Sequence, residues 1–347
     1  MMTGEWADLG LPRNIGEGIV RKSKPASPDS EPYSAKTWRE GLGQSGSCGD
    51  RILFVGDIHD KAVVLCPMID EVADRTDAGV IVLLGDLLNE WNIKAADEIE
   101  SFAKLAEWIT RQREQREVVV LLGNHDLAYW AEPHTFAQQE LARQCPGFNP
   151  GAYPDVHYLL HTVVCRDGMR IMYGFTDGRG CRILASHAGL TYDWWNWMPS
   201  PPSRKQSAEQ DREAADVAVL VNEFANGHIG GGLSSIGAMA GPERGGWPGS
   251  IPSPVWAGKE ELAHDPIPGF DQIVGHSPVP TIQCRLGGII ASPDDSARCI
   301  RRRRPRLWYC DTHSLTRSGK PIGDGSMLFY DRNSGDAWRI IHAGVEI

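Results

Sequence analysis

An aspartate and a histidine that could bind one cation follow the first apolar stretch of the chain. The run from Leu53 to Val55 ends at Gly56, and Asp57 and His59 come next, two residues apart. Residues i and i+2 of an extended backbone point to the same side, so both side chains can reach one ion. The pattern indicates a buried strand that leads into a metal site.

The same construction recurs further along the chain. Apolar runs at 80–84 and 118–122 lead into Gly-Asp at 85–86 and Gly-Asn-His-Asp at 123–126, and segments 182–186 and 272–274 lead into His187 and His276. Open parallel α/β sheets carry their sites outside the carboxyl ends of the strands, so these side chains are expected to meet at one edge. The alternative is buried strands that end in ordinary Gly-Asp and Gly-Asn turns.

The candidate ligands combine carboxylate, amide oxygen and imidazole, a mixture that suits Mn, Fe, Zn or another divalent first-row ion. No cysteine stands at a strand end, which argues against a structural zinc site. The set is Asp57, His59, Asp86, Asn124, His187 and His276, with His125 beside it.

The intervening segments predict how these strands are connected. Residues 67–74 begin with Pro67 and predict a first crossover helix, and apolar residues every three or four positions through 93–115 predict a long amphipathic one. The resulting β, α, β, α, β order predicts a right-handed parallel unit. A polar helix is expected over 131–148.

Strands are predicted over 158–165, 169–173, 182–186 and 272–274, with a hairpin turn at Asp167-Gly168 between the first two. Segments 289–290, 307–311, 327–330 and 338–341 are expected to form a second, largely antiparallel sheet. Residues 194–260, which contain a tryptophan cluster and a predicted helix over 208–225, read as a lid-like insertion. The tryptophans either pack the core of this insertion or stack on substrate.

Composition limits the classes of function. The chain has 347 residues, 41% of them hydrophobic, and a formal charge of −10. This predicts a globular enzyme with a substantial core and argues against a general nucleic-acid or membrane-surface binder. The eight cysteines lack any C-x-x-C pair and are expected to be free thiols. Arg301 to Arg304 read as a solvated loop, with an anionic docking site as the alternative.

The N-terminal 48 residues are rich in Pro, Ser and Gly and predict an irregular or partly disordered leader before a domain over 49–347. Residues 1–14 lack the features of a signal peptide, and no apolar run approaches the length of a membrane span. A cytoplasmic location is therefore expected.

The five motifs together resemble those of the calcineurin-like metallophosphoesterases, over about residues 50–335, and within them the branch of the serine/threonine phosphoprotein phosphatases and symmetrical diadenosine tetraphosphatases. The motifs are Gly-Asp-Ile-His at 56–59, Gly-Asp at 85–86, Gly-Asn-His-Asp at 123–126, Ser-His-Ala-Gly at 186–189 and Gly-His-Ser-Pro-Val at 275–279. The resemblance implies a four-layer α/β/β/α sandwich in which two mixed sheets are flanked by helices.

The resemblance also implies a role for each candidate ligand. Asp57 and His59 would bind a first metal ion, a second would be held by Asn124, His187 and His276, and Asp86 would bridge the two. His125 would protonate the leaving oxygen or stabilise its charge. Pro278 stands where many relatives have a further histidine, which fits the phosphoprotein phosphatase branch.

Two departures from the family pattern concern substrate binding. Asn89 replaces the carboxylate that would orient His125, and Glu90 replaces an arginine that grips phosphate. A second arginine position falls near Gly258, where Arg244 or Lys259 could substitute. Because a carboxylate at Glu90 would repel a phosphate dianion, simple monoesters are expected to be poorer substrates than for relatives.

The leading hypothesis is a phosphohydrolase with two divalent metal ions that directs water at a phosphate ester, as a phosphoprotein phosphatase does. The substrate would be a phosphorylated small molecule, a nucleotide or a phosphoprotein. A dinucleotide polyphosphate hydrolase is the alternative among enzymes. The alternative of another class is a metal-binding scaffold with weakened catalysis, which the changes at Asn89 and Glu90 suggest.

Overall fold

The computed structural model describes residues 48–199, 213–232, 237–288 and 304–342. The predicted leader up to residue 47, the predicted strand at 289–290 and Arg301 to Arg303 lie outside these ranges. No helix in the described ranges is long and apolar enough to cross a membrane. The six cysteines whose side chains are described carry free thiols.

The described strands form two mixed five-stranded sheets. They are β1 (Arg51–Val55), β2 (Val80–Leu83), β3 (Glu117–Val120), β4 (Met172–Thr176), β5 (Arg182–Ser186), β6 (Asp271–Val274), β7 (Gln283–Leu286), β8 (Arg306–Tyr309), β9 (Met327–Asp331) and β10 (Asp336–Ile340). The first sheet has the order β10-β9-β1-β2-β3 and the second β4-β5-β6-β8-β7. Strands β1, β2 and β3 are parallel, as predicted, and so are β5, β6 and β8.

The described helices are α1 (Ala62–Thr76), α2 (Ala95–Gln112), α3 (Leu127–Trp130), α4 (Phe136–Gln144), α5 (Tyr153–Leu159), α6 (Tyr192–Trp197), α7 (Ala214–His228) and α8 (Lys259–His264). Helix α5 continues into a turn of π-helix at Leu160–Val164. Helix α1 starts before Pro67, which lies inside it and not at its start. Because Pro67 is on the solvent face, water can satisfy the carbonyl that its ring leaves unbonded.

Alternating residues of the strands build two cores. On β1, Ile52 and Phe54 pack between the sheets against residues such as Ile183 and Ile273, whereas Leu53 and Val55 face the helices on the outer side. This is the period-2 alternation of a strand covered on both faces. The predicted fold class, an α/β sandwich of two mixed sheets flanked by helices, is confirmed.

Two predictions about the strands were wrong. Strand β9 pairs antiparallel with β1 and β10 pairs antiparallel with β9, so both extend the first sheet. Strand β8 joins the second sheet parallel to β6, so the second sheet is not a separate, largely antiparallel unit of the C-terminal segments. The segment 158–165 is helical rather than a strand, and β4 pairs instead with β5. The buried residues Val156, Leu160 and Val164 of helix α5 and its π-helical extension recur every four positions, which is helical spacing.

Within the predicted insertion, helix α7 packs on β4, which belongs to the second sheet. Trp194 and Trp195 are buried, and the Trp194 ring meets Phe224 of α7 edge to face at 6.0 Å. This geometry favours the interpretation of these tryptophans as core of the insertion.

Candidate metal centre

Glycines at the strand ends bring the chain segments of the site into direct contact. A Cβ atom on Gly123 would lie 2.2 Å from Oδ1 of Asp86, and one on Gly275 would lie 2.3 Å from Oδ1 of Asp57. Gly85 also adopts a φ of +99°, which side chains disfavour. The Gly-Asn and Gly-His motifs therefore reflect the space that the carboxylates occupy, whereas a Cβ atom on Gly85 of the second Gly-Asp motif would lie 2.6 Å from the backbone nitrogen of Gly123.

The first group of possible ligands consists of Asp57, His59 and Asp86. Nε2 of His59 lies 3.8 Å from Oδ2 of Asp57 and 3.8 Å from Oδ2 of Asp86. The other ring nitrogen, Nδ1, lies 2.9 Å from the carbonyl oxygen of Leu88, which fixes the ring. Nε2 of His59 therefore faces both carboxylates.

The second group consists of Asp86, His187 and His276, with Asn124 beside them. Nε2 of His187 lies 3.2 Å from Oδ2 of Asp86, 3.1 Å from Oδ1 of Asn124 and 3.0 Å from Nδ1 of His276. All four side chains are buried. Asp86 belongs to both groups, so the structure brings all six predicted ligands together around it.

The donor set fits bound cations. Nδ1 of His187 donates to the carbonyl of Leu84 at 2.9 Å, which leaves the lone pair of Nε2 facing the oxygens of Asp86 and Asn124. Nε2 of His276 is buried and has no hydrogen-bond partner among the described residues. Acceptors that converge in this way repel one another unless a proton or a metal ion lies between them.

The electrostatics support this reading. Burial lowers the pKa of His187, but the charge and hydrogen bond of Asp86, the charge of Asp57 and the carbonyl of Leu84 together outweigh that effect, and the net pKa is raised to about 9. Burial, followed by the nearby Asp311 carboxylate, raises the pKa of Asp57 well above its ordinary value. In the absence of metal, protons on these groups reduce the repulsion between the buried charges, and a bound divalent cation would neutralise the carboxylates in their place.

His125 lies at the rim of the site. Its backbone N–H donates to Oδ1 of Asp86 at 3.0 Å, and its Nε2 lies 3.9 Å from Oδ2 of the same carboxylate. Its Nδ1 lies 3.3 Å from Oδ1 of Asn89, so the amide oxygen occupies the orienting position. Burial lowers the pKa of the ring.

Asn89 belongs to a buried network that includes two residues the sequence analysis missed. Its Nδ2 donates to Oε1 of Glu98 at 2.9 Å and lies 2.8 Å from the hydroxyl of Tyr129, which itself donates to Glu98. Glu98 is in phase with Phe102 on the buried stripe of α2, and this position was the signal that could have identified it.

Glu90 forms an ion pair that was also missed. Nζ of Lys61 donates to Oε2 of Glu90 at 2.7 Å and to the backbone carbonyl of His59 at 3.2 Å. The N–H of Glu90 donates to Asp60 at 3.1 Å. Lys61 thus supplies a positive charge beside Glu90, the position at which the family resemblance led us to expect arginine.

The two proposed substitutes for the second arginine have different surroundings. The Arg244 guanidinium donates to Oγ of Ser277 at 2.7 Å and to the carbonyl of His276 at 3.3 Å, so it borders the second ligand group. Lys259 points elsewhere, because its Nζ donates to Oε1 of Gln283 at 2.6 Å.

Asp126, which the sequence motif contained without an assigned role, connects the two loops that carry the candidate ligands Asp86 and Asn124. Its carboxylate accepts from the N–H of Leu87 at 2.9 Å and from that of Gly123 at 2.8 Å. Burial raises its pKa to about 7. The ends of β2 and β3 are therefore tied by one buried side chain.

Comparisons with known proteins agree with this site. The family model described as calcineurin-like phosphoesterase matches residues 50–280. No curated protein matches the chain.

Similar solved structures include a hypothetical protein from Pyrococcus horikoshii OT3, with 10% identity, coverage of 84% of this chain and 87% of that one, and a TM-score of 0.38. A putative diadenosine tetraphosphatase has 15% identity, 85% and 94% coverage and a TM-score of 0.34. A metallophosphoesterase from Sphaerobacter thermophilus has 10% identity, 84% and 88% coverage and a TM-score of 0.32.

The family model spans more than half of the chain and contains all six candidate ligands. The predicted membership is therefore confirmed: the chain belongs to the calcineurin-like phosphoesterase family and is a phosphoester hydrolase.

Proposed function

We propose that this hydrolase binds two divalent metal ions at the strand ends and uses them to direct water at a phosphate ester. The observation that carries the proposal is that Asp86 belongs to both ligand groups. Oδ2 of Asp86 lies 3.8 Å from Nε2 of His59 and 3.2 Å from Nε2 of His187, so one carboxylate oxygen faces both groups and could serve two cations at once. Two isolated sites would not need to share it. Asp57 and His59 would hold one ion, and Asn124, His187 and His276 the other.

Each side chain of the site then has a physical task. Bound in pairs, divalent ions lower the pKa of water and neutralise the charge of the phosphoryl oxygens. The carbonyls of Leu88 and Leu84 hold the rings of His59 and His187 so that Nε2 of each faces the carboxylates. His125, oriented by Asn89, stands at the rim to give a proton to the departing oxygen.

The substrate that this arrangement favours is a phosphate monoester of the kind that serine/threonine phosphoprotein phosphatases cleave. Arg244 borders the ligand His276, and a guanidinium can hold two phosphate oxygens at once. Lys61 offsets the charge of Glu90, which reduces the repulsion expected for a dianion. A dinucleotide polyphosphate is the second candidate, because an inner phosphate carries less charge and needs less compensation.

Elemental analysis of the purified protein tests the metal centre. We expect about two transition-metal ions per chain at the strand ends. The variant Asp86→Ala should lower both occupancies, whereas Asp193→Ala, which removes an exposed aspartate of α6, should lower neither. An Asp86→Ala protein that is folded and keeps its full metal content would refute the shared-ligand assignment.

A substrate screen of the manganese-loaded protein tests the proposed substrate class and the proposed turnover. Phosphoserine peptides and p-nitrophenyl phosphate should be hydrolysed faster than bis(p-nitrophenyl) phosphate or diadenosine tetraphosphate. Faster cleavage of the dinucleotide would favour the second candidate. Full metal occupancy with no turnover of any of these compounds would instead support the metal-binding scaffold.

A further inference from the structure

A third group of possible metal ligands lies outside the strand-end site. It consists of Glu132, His157 and His161, which each offer one ligand atom within 4.8 Å of the others. Glu132 is exposed and the two histidines are partly buried, so an ion from solvent can reach them. The group joins two parts of the chain, because Glu132 follows helix α3 and the histidines belong to α5 and its π-helical extension.

Helical geometry brings the two histidines together. They stand four residues apart in Tyr153–Leu159 and Leu160–Val164, and residues at this spacing lie on the same face of a helix. Their ring centroids are 4.4 Å apart. Histidines at i and i+4 on a helix are a common way to bind zinc.

Hydrogen bonds to the backbone fix which ring nitrogens are available. Nδ1 of His157 lies 2.8 Å from the carbonyl oxygen of Tyr129, and Nε2 of His161 lies 2.8 Å from that of Trp130. A carbonyl only accepts, so these two nitrogens carry the protons. Nε2 of His157 and Nδ1 of His161 therefore keep their lone pairs, which is the arrangement found for histidines that bind metals.

Aromatic packing holds both rings in place. The His161 ring stacks on Trp130 with centroids 3.8 Å apart, and the His157 ring stacks on Tyr153 at 5.3 Å. Fixed rings lose little conformational freedom on binding an ion, so the site is preorganised. Packing alone accounts for the stacking of the rings but not for the carboxylate of Glu132 beside them.

We propose that Glu132, His157 and His161 bind a zinc ion. Two imidazoles and one carboxylate are three of the four ligands of a tetrahedral zinc site, and water can complete it because the group faces solvent. The ion would tie the chain just after α3 to α5 and its extension. The site is independent of the proposed strand-end pair and shares no residue with it.

Four proteins dialysed against zinc and analysed for bound metal test this assignment. The unmodified chain should hold about three ions, and Asp86→Ala should lose strand-end zinc only. His157→Gln combined with His161→Gln should lose one ion. The triple variant Asp86→Ala, His157→Gln, His161→Gln should hold one zinc ion fewer than the Asp86→Ala protein.

The matched control is His228→Gln. His228 also stacks on an aromatic ring, that of Phe224, and its Nδ1 also lies 2.8 Å from a backbone carbonyl, but it belongs to none of the ligand groups in the described ranges. This variant should keep the unmodified zinc content. In a zinc titration, His157→Gln alone should raise the Kd of this site by about 100-fold or more. Loss of a residue that only hydrogen-bonds to a metal ligand already costs about 10- to 100-fold, and loss of a ligand should cost more.

Thermal unfolding separates metal loss from misfolding. In the Asp86→Ala background with a chelator, proteins with and without the two histidines should unfold at similar temperatures, and zinc should raise Tm only when both histidines are present. Equal zinc content and equal zinc-dependent Tm with and without the histidines would overturn the proposal. That result would leave the strand-end centre untouched, because its own test is the effect of Asp86→Ala.

Discussion

Nζ of Lys61 lies 2.7 Å from Oε2 of Glu90, and the two side chains are 7% and 17% exposed. This pair changes the expected effect of the glutamate at the position where the family resemblance led us to expect arginine. Alone, the carboxylate would repel a phosphate dianion; paired, it leaves little net charge. The two residues are therefore expected to act on substrate binding as a unit.

The first prediction is that Lys61→Met raises KM for p-nitrophenyl phosphate by about tenfold, which is about 1.4 kcal/mol. The variant leaves Glu90 unpaired in a poorly solvated position, which also destabilises the fold. Adding Glu90→Gln should restore most of the loss in both KM and Tm, because the unpaired charge is then removed.

Steady-state kinetics on the mono- and bis-ester check this coupling. The bis ester, with one charge per phosphorus, should respond less than the monoester to Lys61→Met. Additive effects of the two substitutions would show that the pair does not act as a unit near the substrate.

The strand ends of the site could be predicted from sequence because their signals are local. An apolar run followed by glycine and a polar residue indicates both a buried strand and the position at which it ends. The structure brings Asp57, Asp86 and His187 together, as that pattern predicted. The parallel order of β1, β2 and β3 followed from the crossover helices between them.

Other features depend on contacts between distant residues. Whether β9 pairs with β1 or with the second sheet is decided by packing that no local pattern encodes. The ion pair of Lys61 and Glu90 spans 29 positions, and the hydrogen bond between Asn89 and Glu98 depends on how α2 packs against the loop after β2. The segment 158–165 was misread because β-branched residues outweighed its helical periodicity.

The second prediction separates the proposed proton donor from the metal ligands. His125→Asn should leave metal content nearly unchanged and lower kcat by about 10²-fold or more, the usual effect of losing a positioned general acid. A phosphoserine peptide is the substrate of choice, since its alkoxide leaving group needs a proton and an activated aryl group does not. Full turnover of the peptide by the metallated variant would remove His125 from the mechanism.

The third prediction concerns the choice of amide over carboxylate at Asn89. Asn89→Asp would replace an N–H donor to Glu98 with a second carboxylate, so we expect unfolding to become easier by about 2 kcal/mol or more. Glu98→Gln in the same protein should recover much of this, because the glutamine amide can donate to the new carboxylate. Chemical denaturation measures the free energy of unfolding of both variants. An unchanged free energy of unfolding in Asn89→Asp would show that the fold does not need the amide donor of Asn89.

The fourth prediction tests the glycine at the end of β3. In Gly123→Ala the new Cβ atom would lie 2.2 Å from Oδ1 of Asp86 and 2.6 Å from the N–H nitrogen of the same residue, so the shared carboxylate must move. Because Asp86 belongs to both ligand groups, we expect metal content to fall at both positions and kcat to fall with it. Gly227→Ala is the control: its Cβ atom would meet nothing within 4 Å, and in helix α7 the change should stabilise the fold by about 0.5 to 1 kcal/mol. The metal content of both variants is measured by elemental analysis after the same metal loading. A folded Gly123→Ala protein with unchanged metal content would show that the site accommodates the added Cβ atom without losing either ion, which would contradict the prediction.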